Sequence, residues 1–231
     1  MAASSPVFTR EEHVTEQRLG QFIAIGIILL VSFPVHEFSH ALAAYRLGDG
    51  TAKLFGRLTL NPVVHFDPVG GLMLVVTGLF GFGFGWAKPT PVNPNNLRGG
   101  RQGEAIVSFA GPASNLVLAV AAALPLRYII ATDLAVPGLV RFILAYFILI
   151  NLALMVFNLI PIPPLDGAKV LYAFLDPRTA YQIRPYLEQY GFFFLFILII
   201  PLGAGGSILG RLFVAIIGPL SDLLVGTPLV R

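Results

Sequence analysis

Cysteine is absent from the 231-residue chain, which excludes disulfides and thiolate metal sites, so any metal must be held by His, Asp or Glu. Charge is scarce: 12% of residues are charged and the net charge is only +3. The few basic residues are scattered between apolar runs, a pattern of loop and headgroup anchors rather than of a nucleic-acid surface. What is abundant is apolar. Hydrophobic residues make up 56% of the chain, and several runs approach or exceed the roughly 18–20 residues that cross a bilayer. An all-α polytopic membrane protein is expected, with about five transmembrane helices, a re-entrant hairpin-like element and a three-helix core.

The chain is organised around Val35-His36-Glu37-Phe38-Ser39-His40-Ala41. Apolar sequence precedes it from Phe22 to Pro34 and resumes after it, so an ionisable cluster there is costly and reads as functional. On a helix His36 and His40 share a face and can offer ring nitrogens to one metal ion, while Glu37 reaches a water beside it. That is the H-E-x-x-H arrangement of zinc hydrolases. A secretory signal peptide, the other reading of the first apolar run, has no use for these three residues.

In order, residues 1–19 read as a polar N-terminal arm, and a first helix spans about Gly20 to Leu47, stopped by Gly48-Asp49-Gly50. The alternation from Leu54 to Leu60 predicts a short interfacial strand. Val69 to Trp86 is apolar but rich in glycine, with prolines around it, which favours re-entry over a simple span. Helices are predicted from Glu104 to about Leu126, with small residues Ala110, Gly111, Ala113 and Ser114 for close packing, and from Pro137 to Ile160. Three prolines at 161, 163 and 164 then place Asp166 on irregular backbone. A polar linker follows, and two apolar segments, Gly191–Leu202 and Ile208–Val225, close the chain.

A catalytic zinc usually has three protein ligands. His65, Asp67, Glu104 and Asp166 are candidates for the third, and Asp166 is preferred because its proline-rich turn ends a hydrophobic helix. Topology supplies a condition. If residues 69–86 cross the membrane, Asp166 and the histidines lie on opposite faces; if they re-enter, the ligands share one depth. Re-entry also places ten of the fifteen Lys and Arg residues on the side of the site, which the positive-inside rule assigns to the cytoplasm. The N-terminus is then outside, in the cell membrane.

HEFSH in a membrane helix, AGPASN (110–115) in a second and NLIPIPPLDG (158–167) after a third resemble the site-2 proteases, zinc enzymes that cut peptide bonds within the bilayer. The resemblance runs from Gly20 to about Leu175, in the compact form without a PDZ or CBS domain. It implies one Zn2+ per chain bound by His36, His40 and Asp166, water activation by Glu37, and a place for Asn158 in the site. It further implies that Asn115 faces the same cavity. The stretch GFGFGWAKP, with Gly83 and Gly85, resembles the family's re-entrant β-hairpin, which receives substrate as a strand. Residues 20–175 would form the catalytic core and 176–231 the C-terminal transmembrane segments, a candidate gate.

The expected function is zinc-dependent hydrolysis of a peptide bond in or next to a substrate's transmembrane segment, with membrane proteins as partners. The alternatives are a catalytically silent membrane chaperone or a metal-binding or transport protein using the same ligands, and a zinc hydrolase acting on lipid or a small amide.

Overall fold

The computed structural model describes residues 20, 22–23, 25–80, 86–201 and 206–229. Among these the regular elements are all helical: α1 (Ile25–Arg46), α2 (Thr51–Leu54), α3 (Pro62–His65), α4 (Pro68–Phe80), α5 (Arg101–Ala131), α6 (Gly138–Asn158), α7 (Asp166–Phe174), α8 (Pro177–Ile199) and α9 (Ile208–Val225). Four of them, α1, α5, α6 and α9, are long and apolar enough to cross a membrane. The chain is a multi-pass membrane protein.

Three expectations are corrected. The Leu54–Leu60 strand is absent: Thr51–Leu54 closes as one helical turn and the chain bends on to Asn61. The polar linker after α7 is instead the first half of α8. Asp176 caps that helix, its Oδ1 accepting from the N–H groups of Arg178 and Thr179 at 3.0 Å, and Pro177 stands at its first position. Polar residues in this half keep α8 out of the four candidate spans. Lastly, Asp166 is the first residue of α7 and not part of irregular backbone. The proline run ends at Pro164, and a carboxylate suits a helix N-terminus.

α4 has 13 residues, so at 1.5 Å per residue it reaches about 20 Å, short of a hydrocarbon core of about 30 Å. This part of the glycine-rich segment is helical, and the GFGFG of the expected hairpin, residues 81–85, lies outside the described residues. Its far side returns to its near side: the Lys88 N–H donates to the His65 carbonyl at 2.8 Å, and a Cβ on Gly70 would meet the Trp86 indole at 2.9 Å. Gly83 and Gly85 lie outside the described residues.

α5 is the central element. Along its far half Ala119, Ala122, Ala123 and Leu126 pack on Ile148, Leu152 and Val156 of α6 and on Ile217 and Val225 of α9. Between helices in lipid such packing is held by van der Waals contact, which is why alanine suits the crossing. Along its near half α5 meets α1 and α7. α1 is wound as a π-helix over Ile28–Ser32, with the Phe33 N–H bonded to the Ile28 carbonyl. Pro34 follows, without an N–H and crowding the preceding turn, so the wider winding relieves the helix just before His36.

Candidate metal centre

α1, α5 and α7 converge on one point. His36 and His40, four residues apart on α1, turn their Nε2 atoms toward each other at 3.0 Å. Asp166, brought in by α7, places Oδ2 at 3.3 Å from His36 Nε2 and 3.1 Å from His40 Nε2. Ligands of a tetrahedral zinc, each about 2.0–2.2 Å from the ion, stand about 3.3–3.5 Å apart. At 3.0, 3.1 and 3.3 Å the three atoms stand slightly closer than this, near enough for one ion to reach all of them, and among the described residues they form the one such ligand group.

The protons are also in the right places. The Val107 carbonyl can only accept, so the His40 Nδ1 at 2.7 Å from it carries the hydrogen and leaves a lone pair on Nε2. His36 Nδ1 lies 2.6 Å from the Asn115 side-chain oxygen and is likewise the donor. Two lone pairs and a carboxylate therefore face one another, an arrangement that demands a cation. The Asp166 side chain is only 15% exposed, so its charge needs a positive partner. A metal dication is that partner with neither Nε2 protonated.

Glycine at two positions makes the approach possible. A Cβ on Gly111 would fall 2.6 Å from His36 Nε2 and closer still to His40, so α5 comes against the ligand nitrogens only because this residue has no side chain. A Cβ on Gly167 would fall 2.5 Å from the Ile160 carbonyl oxygen. Its absence lets the first turn of α7 fold back on the end of α6 and swing Asp166 toward α1.

A cavity of about 450 Å³ opens on the three ligands. Glu37, Asn158 and Lys169 line it, with Phe33, Trp86 and Leu154 among its apolar walls. The Glu37 carboxylate accepts from the Thr90 N–H at 2.8 Å, and the Thr90 hydroxyl donates to the Glu37 carbonyl at 3.0 Å. Asn158 donates to the Leu154 carbonyl at 3.0 Å, which turns its side-chain oxygen away from its own helix backbone.

The other candidate ligands lie elsewhere. His65 is buried with Nε2 donating to the Thr59 carbonyl at 2.8 Å, and Asp67 caps α4 through the Gly70 N–H at 2.8 Å. Glu104 is buried and faces Arg184 at 3.9 Å. Sequence reasoning did not single out Thr90 or Asn151. Thr90 gives no chemical signal, since its amide does the work. Asn151 does: it is an amide within the most apolar of the four candidate spans, where a polar side chain needs a partner.

The sequence pattern of Peptidase family M50 matches residues 124–201, which hold the end of α5, α6, α7 and α8. A Bacillus subtilis protein named as a candidate zinc metalloprotease, YwhC, is 40% identical over 209 residues, covering 84% of this chain and 92% of its own. A similarly named protein of Mycolicibacterium smegmatis, Rip2, is 35% identical over 189 residues, covering 79% and 68%. Rip2 of Mycobacterium tuberculosis is 32% identical over 196 residues, covering 84% and 73%. No solved structure matches the chain.

Proposed function

The chain belongs to peptidase family M50, the site-2 proteases, and is a zinc metalloprotease; from that premise we propose that it hydrolyses a peptide bond within or next to a transmembrane segment of a membrane-protein substrate. The observation that carries this reading is the placement of the ligand set. His36, His40 and Asp166 meet between helices apolar enough to cross a bilayer, at the floor of a cavity walled mainly by apolar side chains.

His36, His40 and Asp166 hold the zinc, which when bound acts as a Lewis acid that acidifies water and polarises the scissile carbonyl. Glu37 is the general base: it takes a proton from water in the cavity and returns it to the leaving amine. The Thr90 N–H fixes one oxygen of that carboxylate and leaves the other to do this. Asn158 presents its amide to the substrate backbone or to charge developing on it. A substrate helix must unwind to expose its carbonyl, and in this reading the opened strand pairs with backbone groups of the Trp86–Val92 segment, which is not helical and lines the cavity through Trp86, Ala87 and Val92.

In this reading residues 69–86 re-enter the membrane, Gly83 and Gly85 belong to the substrate-receiving element, and residues 176–231 serve as the gate of a core formed by 20–175. The N-terminus is outside in the cell membrane, and the site lies toward the cytoplasmic face. The test is zinc content and cleavage of single-span substrates in detergent for wild type, Glu37→Gln and Asp166→Ala. Expected are a wild type that cuts, a Glu37→Gln variant that keeps zinc without cutting, and an Asp166→Ala variant that loses zinc. A wild type that binds zinc and cuts no membrane segment would overturn the assignment in favour of a silent metal-binding role.

A further inference from the structure

Behind His36 runs a chain of hydrogen bonds that ends on a third helix. Asn115 of α5 and Asn151 of α6 are both fully buried. The order of their contacts admits one assignment. The Phe147 carbonyl can only accept, so the Asn151 atom 2.8 Å from it is the amide nitrogen. The Asn151 oxygen then faces the other way and accepts from the Asn115 amide nitrogen at 3.1 Å. That in turn aims the Asn115 oxygen at His36 Nδ1, 2.6 Å away, and requires a hydrogen there. The lone pair is left on His36 Nε2, where the metal needs it.

We propose that Asn151 is a positioning residue for the metal centre: through Asn115 it holds His36 in the tautomer that binds zinc. Asn115 alone is ambivalent, because a side-chain amide can turn over and offer its NH2 to His36 Nδ1. Turned so, it favours the tautomer with the hydrogen on Nε2, which cannot ligate. Asn151 removes that choice, since a reversed Asn115 would set two oxygens against each other. The anchor is a helix carbonyl of α6, so the packing of α6 on α5 and the tautomer of a ligand on α1 depend on one another.

The inference rests on zinc binding at His36, and the experiment separates the two. Zinc dissociation constants are measured by chelator competition in detergent for wild type, Asn151→Leu, Asn115→Leu, the double variant and Asn151→Asp. Partners of ligating histidines are worth about 10–100-fold in metal affinity. Asn151→Leu is expected to weaken zinc about tenfold, and the double variant to be no weaker than Asn115→Leu alone, because both lie on one chain. Asn151→Asp is expected to stay within about threefold of wild type: the carboxyl it introduces, protonated in this apolar site, donates to Phe147 and accepts from Asn115 as the amide did. In metal-free protein with 15N-labelled histidine, His36 should change from an Nδ1–H to a mixed-tautomer signature in Asn151→Leu. Unchanged affinity in Asn151→Leu, losses that multiply in the double variant, or an Asn151→Asp variant as weak as Asn151→Leu would each overturn the relay. A wild type without zinc would overturn the metal site itself.

Discussion

Gly111 stands so close to His36 that a methyl group in its place would lie 2.6 Å from the ligand nitrogen. Both residues belong to long helices, α5 and α1, whose crossing point is set by this contact. Neither helix backbone can yield without moving every neighbour along it. Gly111→Ala is therefore expected to displace the imidazoles and lower zinc affinity by about 10–100-fold, read by chelator competition. Retention of wild-type affinity would mean that the helices separate more readily than their packing implies.

The Thr90 amide is the one described donor to the Glu37 carboxylate. A hydrogen bond to a charged group contributes about 1.5–3 kcal/mol, so its removal by Thr90→Pro is expected to lower kcat about 10–100-fold with zinc content unchanged. Thr90→Val, which removes only the hydroxyl bond to the Glu37 carbonyl, should cost less than tenfold by the same scale. Steady-state kinetics on a single-span substrate distinguish the two. An equal effect of both would move the interaction from the amide to the side chain.

Asp49 ties the end of α1 to the segment after the cavity. It is fully buried and accepts from the Thr51 N–H and hydroxyl, the Asn93 N–H at 2.7 Å and the Asn96 amide at 3.2 Å. Burial opposes its charge, but these donors together hold its carboxyl below the usual carboxylate range. A folded-state pKa below the unfolded value gives stability that is complete above the unfolded value, about 3.9, and is lost as pH falls through the folded one. Asp49→Asn should thus lower the thermal midpoint at pH 7, and the gap to wild type should close below about pH 4. A gap independent of pH would remove the charge from the explanation.

Metal removal should act on stability as well as activity. A ligand that binds only the folded state stabilises by mass action, so stripping zinc with a chelator is expected to lower the midpoint of wild type and leave Asp166→Ala unmoved. A chelator effect of equal size in both would place the stabilising ion elsewhere.

The chemistry was legible in the linear chain to the extent that it was local. His36, Glu37 and His40 share a helical turn, so spacing alone put two imidazoles on one face, and apolar surroundings marked them as costly. Asp166 was reached through its prolines and a condition on topology. Where reading failed, the determinant was a contact or a cap. Asp176 and Pro177 announce the start of α8, yet the charged residues beyond them read as a linker. The Leu54–Leu60 alternation suggested a strand, which needs a partner the fold does not provide.

By itself, then, the sequence determined a membrane protein with a histidine pair built for zinc, because hydrophobic run length and helical periodicity are properties of neighbours along the chain. Only the tertiary structure decided the rest. It brought Asp166 to within 3.3 Å of both imidazoles, set the Thr90 amide on Glu37, and ran the Asn151–Asn115 chain behind His36. These are hydrogen bonds and close approaches between residues tens of positions apart. Their geometry follows from where glycine lets two helices touch, which no local pattern encodes.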